Sequence, residues 1–166
     1  MAAAMLCVAC AGPSASPSAP RTTPAGWTTV VCMDGRTVSF AVPPVGETAR
    51  NPGCAVSAED QPWSVKVEPR VTRDLAQIRA DDVDPRLQNG QPDAVDMVLS
   101  NTDAHMFGSG RADTLIYWTG AGGVPTWVVM AQNDGVGLSV SCRKLNRTQC
   151  VTLAHQIARS LTISRG

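Results

Sequence analysis

The sequence predicts an α+β fold, in which an antiparallel sheet carries a short helix and a C-terminal helix. Three observations lead to this class: several segments alternate apolar and polar residues, Asp-Gly pairs join some of these segments, and the C-terminal segment repeats apolar residues at helical spacing. Alternating strands joined by tight turns form antiparallel sheets, and an amphipathic helix covers one face of such a sheet. The chain has 166 residues, and the roughly 140 that follow the first 25 or so suit one compact domain.

The predicted strands begin with a hairpin. Residues 27–33 and 36–42 flank an Asp-Gly pair, and the second segment alternates apolar and polar residues before it ends at two prolines. The further strands are predicted at 63–67, 94–100, 112–119, 125–133 and, after an Asn-Asp-Gly turn, 136–143.

A short helix is predicted between the third and fourth strands, at residues 72–80. Thr72 is its candidate N-cap, and Leu75 and Ile78 share a face with Val71. The residues that follow it, 81–93, are predicted to form a polar loop.

The final helix begins after Asn146. Gln149 stands three residues later, so the pair resembles a capping box with Asn in place of the usual Ser or Thr. The helix is expected to pack on the sheet through one apolar face, which consists of Val151, Ala154, Ile157, Ala158 and Leu161.

The N-terminal stretch predicts export. Residues 1–10 contain a short apolar run and end in CVAC, which fits a lipoprotein box at three positions but has Cys where Leu is usual. Because a basic n-region is missing, we expect either a start further upstream or cleavage at another site; a buried N-terminal helix is a third interpretation. Cys10 is the predicted lipidation site, and residues 11–25, rich in Pro, Ser and Ala, are the predicted tether. The predicted α+β domain is 26–166.

Four cysteines remain in the predicted domain, and an even number in an exported chain indicates two disulfides. Of the three possible connectivities, the local one is favoured, with Cys32 bonded to Cys54 and Cys142 bonded to Cys150. The second bond would join the final helix to the last long strand. A zinc site is the alternative, but none of the four stands in a Cys-x-x-Cys pair and both histidines lie far from ligand spacing. No metal and no cofactor is expected.

The charges balance but are separated along the chain. Fourteen Lys and Arg match fourteen Asp and Glu, so the chain lacks the excess of positive charge that nucleic-acid binding requires. Nucleic acid is therefore not an expected partner. Aspartates crowd the middle of the chain, whereas no acid follows Asp134. The cations of that acid-free part either face an anionic membrane or are scattered around the last helix: Arg143, Lys144, Arg147, Arg159 and Arg165.

Candidate reactive groups are few. Ser109 follows His105 by four residues, and the two are a candidate nucleophile and base. The G-x-S-x-G pattern of a nucleophile elbow is absent, so a hairpin loop is favoured for this segment. His155 is interpreted as a surface residue of the final helix. The spacing of the candidate calcium ligands does not match that of an EF-hand, so a solvated acidic loop is favoured for this segment. These candidates are Asp81, Asp82, Asp84, Asn89 and Gly90.

Several segments resemble known families. The tether and the segments VSFAVPP, TWVVMAQNDGVGLSVSC and LAHQIARSLTIS resemble small actinobacterial envelope lipoproteins of the LpqN type, which have a PsbP-like fold. NDGVGLSVSC and the final helix also resemble the end of the extracellular PknH-like sensor domain. Neither resemblance carries catalytic residues onto this chain, and both imply a domain that binds something at the cell surface.

The expected function is therefore a class. We expect a non-enzymatic protein, lipid-anchored to the outer face of the cytoplasmic membrane, that binds a lipid, a small apolar ligand or a partner protein of the envelope. The alternative is a sensor or accessory module of a membrane kinase or secretion system, and a hydrolase using His105 is a third hypothesis. Secretion as a soluble protein is the alternative location.

Overall fold

The fold is taken from a computed structural model of the chain. The predicted signal remnant, residues 1–10, and most of the predicted tether lie outside the residues that it describes. These are residues 23–45, 49–51, 54–57, 60–85, 98–100, 105–107, 110–120 and 124–164.

The predicted N-terminal hairpin is confirmed and belongs to a small sheet. Strands β1 (Thr28–Met33) and β2 (Thr37–Val42) pair antiparallel around a turn in which Gly35 has a φ of 66°, a value that favours glycine. A third strand at the C-terminus, β12 (Thr162–Ser164), pairs with the other edge of β2. Sequence analysis did not predict β12, because three residues are too few to show alternation.

The large sheet has seven strands, with the bounds β3 (Ala49–Asn51), β4 (Ala55–Ser57), β5 (Trp63–Glu68), β6 (Val98–Ser100), β9 (Asp113–Thr119), β10 (Thr126–Asn133) and β11 (Val136–Arg143). Their order in the sheet is β3-β4-β5-β11-β10-β9-β6. Every pairing within it is antiparallel, and the predicted strands are confirmed to within one or two residues at their described ends. The two short strands at one edge, β3 and β4, were not predicted. Between β6 and β9 in the chain, β7 (His105–Met106) and β8 (Gly110–Arg111) form a separate two-stranded sheet.

The first helix departs from its prediction at both ends. Helix α1 (Leu75–Ile78) is capped by Asp74 and not by Thr72, because Asp74 and Gln77 form a two-way capping box with hydrogen bonds of 2.8 and 3.1 Å. A π-helical turn (Arg79–Val83) continues it, so the predicted polar loop is wrong at its start. Val83 is buried there and holds the turn against the sheet.

The final helix, α2 (Arg147–Ser160), is confirmed together with its capping box between Asn146 and Gln149. It packs on β10 and β11 of the large sheet and on β2 of the small sheet, so it lies between the two sheets. Its buried positions form the centre of the core. They are Cys150, Leu153, Ala154, Ile157 and Ala158, whereas the predicted Val151 is only half-buried.

Two disulfides support this arrangement. Cys32 of β1 is bonded to Cys54 beside β4, with 5.4 Å between their Cα atoms, and the bond joins the small sheet to the large one. Cys142 of β11 is bonded to Cys150 in the first turn of α2, with 5.8 Å between Cα atoms, and both are fully buried. The α+β class with two disulfides is confirmed.

Candidate binding surface

The large sheet has one apolar face and one mixed face. Along β5 and β11, the side chains that point toward α2 are buried and apolar, as in Val65, Val140 and Cys142. Because successive side chains of a strand point to opposite faces, the intervening residues lie on the other side of the sheet. This side, the outer face, is the one that α2 does not cover.

Part of the outer face is covered by α1 and the π-helical turn. Leu75, Ile78 and Val83 pack there on Leu115 of β9, with Met130 of β10 beside them. The segment is held down by a hydrogen bond of 3.0 Å from Gln132 Nε2 to the carbonyl oxygen of Arg73, and by one of 2.9 Å from the Val71 amide to the carbonyl oxygen of Gly135. The covered half of the outer face is thus β9 and β10.

The other half of the outer face, over β4, β5 and β11, forms an open trough of about 710 Å³. Register places Ser141 opposite Ser64 and Ser139 opposite Lys66, so hydroxyl groups of neighbouring strands lie side by side. The floor of this outer trough consists of Ala55, Ser57, Ser64, Lys66, Ser139 and Ser141.

The lip of the trough is formed by the loops at one end of β5 and β11. The Arg143 amide donates a hydrogen bond of 2.6 Å to the carbonyl oxygen of Pro62, which brings the start of β5 against the end of β11. Lys144 follows with a left-handed φ of 64°, and Val124 is 43% exposed beside them.

The charges of the trough are predominantly positive. Lys66, Arg143 and Lys144 line it together with a single carboxylate, that of Asp60. Lys66 Nζ lies 2.7 Å from Glu68 Oε1, whereas no ion pair in the described part of the chain includes Arg143 or Lys144. The positive charge is therefore concentrated at the lip.

The described cations after Asp134 do not form one patch, and Arg165 lies outside the described residues. Arg147 and Arg159 lie on the same helix twelve positions apart, which corresponds to about 18 Å along its axis. This separation exceeds the Debye length of about 8 Å at physiological ionic strength. The structure therefore favours the scattered interpretation, with Arg143 and Lys144 as a local exception at the trough.

The predicted reactive groups are described only in part. His105 belongs to β7 (His105–Met106), which pairs with β8 (Gly110–Arg111) as the two arms of a hairpin, and Ser109 lies outside the described residues. The predicted lipidation site, Cys10, also lies outside them. Within the described residues, no group of three His, Cys, Asp or Glu side chains is placed to hold a metal ion.

The candidate calcium ligands that the structure describes face arginines. Asp82 accepts a hydrogen bond of 2.9 Å from Arg73, and this bond and its charge raise the pKa of the Arg73 guanidinium. Asp81 lies 3.8 Å from the same guanidinium, and Asp84 lies 3.3 Å from Arg79. Asn89 and Gly90 lie outside the described residues.

The trough was not predicted, although the alternation of residues in the sequences of β5 and β11 indicates part of it. The segments WSVKVE and GLSVSC place polar residues or glycine at every second position of two apolar strands. This pattern predicts a face that is not packed on the core. The pattern does not predict that these two strands are neighbours in the sheet.

Comparison with solved structures gives a weak structural likeness. The chain is similar to the solution structure of cyanobacterial PsbP (CyanoP) from Synechocystis sp. PCC 6803, with 12% identity and a TM-score of 0.35 over 85% of this chain and 84% of that one. A likeness of this size supports no statement about function. No family model and no curated protein matches the chain.

Proposed function

We propose that this chain is an extracytoplasmic binding protein, anchored through a lipid on Cys10 and a tether at 11–25, that holds its ligand or partner in the outer trough. The observation that supports it is the uncovered half of the outer face, an open volume of about 710 Å³ lined by hydroxyl and cationic side chains. The two disulfides are compatible with an extracytoplasmic location. The proposed role is binding without chemistry.

The hydroxyl groups in the trough favour a ligand that forms hydrogen bonds over a purely apolar one. Ser64, Ser139 and Ser141 supply hydroxyl groups that donate and accept hydrogen bonds. An apolar ligand would leave these groups without partners, at a cost of about 1–3 kcal/mol for each one that is desolvated.

A second observation favours the accessory-module alternative. Val31 and Met33 lie on the outward side of β1 and are 60% and 78% exposed. A protein partner that covered these two neighbouring side chains would gain binding energy by removing apolar surface from water. Under this alternative, the small sheet contacts a membrane protein. Substituting both residues by Ser should then abolish that contact without changing the thermal stability of the chain.

Native mass spectrometry of the full chain, extracted from the host envelope in mild detergent, tests the main proposal. The informative variant is Ser141→Trp, because a Trp side chain fills the trough and a strand surface accepts it well. Gln156→Trp, at an exposed position of α2 outside both the trough and β1, is the control.

We expect an additional bound mass on the natural chain and on the control, and its loss from Ser141→Trp. A mass that Ser141→Trp retains would place the binding site elsewhere and contradict the proposal. Melting temperatures of the three proteins verify that the Trp substitutions leave the fold intact.

A further inference from the structure

We infer that the outer trough binds the phosphoglycerol headgroup of an anionic phospholipid, an inference that depends on the proposed role of the trough as the binding surface. Such a headgroup combines one negative phosphate diester with two hydroxyl groups. The trough offers complementary groups in a matching order, from the cationic lip to the hydroxyl floor.

The phosphate is assigned to Arg143 and Lys144. Both are exposed, adjacent, and without an ion pair in the described part of the chain, so neither has to give up a carboxylate to bind an anion. Lys66 is less suitable because Glu68 already holds its ammonium group at 2.7 Å. With Lys66 paired to Glu68, the carboxylate of Asp60 is the remaining acid that lines the trough beside Arg143 and Lys144, which leaves an excess of one positive charge.

The glycerol hydroxyls are assigned to the floor. Ser64 and Ser141 are direct cross-strand partners, and neighbouring Cβ atoms in such a pair are about 4.5–5.5 Å apart, a spacing that vicinal hydroxyls can bridge. Trp63 also lines the trough but is only 6% exposed. The floor therefore offers hydrogen bonds and no aromatic surface on which a neutral sugar ring would stack.

A lipid is favoured over a free polyol phosphate because of the position of Val124. This apolar residue is 43% exposed at the cationic lip, and Thr126 Oγ1 holds its carbonyl oxygen at 3.0 Å. In a phospholipid the phosphate joins the headgroup to the apolar acyl region. An exposed valine beside the phosphate-binding cations is thus placed where that region begins.

Vesicle co-sedimentation tests the inference, with the full chain carrying Cys10→Ala so that no acyl anchor delivers it to the bilayer. The vesicles are phosphatidylcholine with equal fractions of either phosphatidylglycerol or phosphatidylserine. We expect tighter binding to phosphatidylglycerol at equal surface charge, weakening with added salt.

Variants separate the two halves of the inference. Arg143→Gln with Lys144→Gln should weaken binding about tenfold or more, the loss expected for charge-assisted hydrogen bonds. Ser64→Ala with Ser141→Ala should reduce phosphatidylglycerol binding to the phosphatidylserine level. Arg111→Gln with Arg159→Gln removes the same charge from exposed positions outside the trough and should retain the phosphatidylglycerol preference.

Equal binding to both anionic lipids, or equal losses in the lip variant and its charge-matched control, would overturn the inference. If the chain bound free glycerol 3-phosphate but did not bind the vesicles, the inference that the ligand is a lipid would be overturned. If Ser141→Trp removes a bound mass from the extracted protein while phosphatidylglycerol is not preferred, the proposed function stands and only this inference fails.

Discussion

The Arg36 guanidinium donates a hydrogen bond of 3.0 Å from Nη1 to the backbone carbonyl oxygen of Asp134, 98 positions away in the chain. The two residues belong to the Asp-Gly turns of two different hairpins, one in each sheet. Asp134 and Gly135 both have positive φ values, 50° and 71°, as the two central residues of a type I′ hairpin turn require. The contact joins the tips of the two hairpins at the end of the molecule opposite Arg143.

Replacing Arg36 by Ala should lower the free energy of unfolding by about 1 kcal/mol, the usual size for a hydrogen bond in a largely exposed setting. Urea denaturation measures the change. Arg111→Ala removes an exposed arginine from β8 and is the control. Identical losses for the two variants would show that the Arg36 contact contributes nothing specific.

Val71 packs against the backbone of Gly137 on the outer face of β11, and this contact leaves no space for a side chain at position 137. A Cβ at position 137 would lie 2.7 Å from Val71 Cγ1, and the Val71 backbone is held by Gly135. Gly137→Ala should therefore cost about 1–3 kcal/mol of stability, the usual range for overpacking.

The double variant with Val71→Ala tests this explanation. Removing Cγ1 relieves the clash, so the two substitutions should be non-additive, with a coupling on the order of 1 kcal/mol measured by thermal or urea unfolding. Strict additivity would mean that the cost arises from the strand backbone and not from Val71.

The disulfides should be found as the structure has them. Non-reducing peptide mapping should give peptides that link Cys32 to Cys54 and Cys142 to Cys150. A Cys32 to Cys142 peptide would contradict both pairs at once.

Removing the Cys142–Cys150 bond with a pair of Ala substitutions should cost about 2.6 kcal/mol by the loop-entropy relation for a nine-residue loop. The 23-residue loop of Cys32–Cys54 predicts about 3.4 kcal/mol. Calorimetric melting of the two double variants measures both losses, and the natural chain under reducing conditions is the comparison.

Lipidation is tested by Cys10→Ala expressed from the natural gene. If Cys10 carries the lipid, the protein should move from the membrane fraction to the soluble extracytoplasmic fraction, and its mass should fall by that of the acyl groups. Cys7→Ala is the matched control, because it stands three residues earlier in the same short stretch. Unchanged sedimentation and mass in Cys10→Ala would rule out this site.

Several elements could be predicted from the sequence because their causes are local. The Asp-Gly turns depend on the φ values of two residues, and the capping box of α2 depends on Asn146 and Gln149, three positions apart. Alternation identified β2, β5 and β11, since each buries one face along its own length. Cys142 and Cys150 are close in sequence, and this made their pairing the favoured one.

The outer trough, in contrast, is a product of tertiary structure. Ser64 and Ser141 become neighbours only because β5 and β11, far apart in sequence, pair through backbone hydrogen bonds that carry no signature in their side chains. The trough stays open because α1 and its π-helical turn cover β9 and β10 instead, where Leu115 offers an apolar surface. Strands β3, β4 and β12 have three residues each and form as partners of longer strands, so packing and not local preference decides their existence.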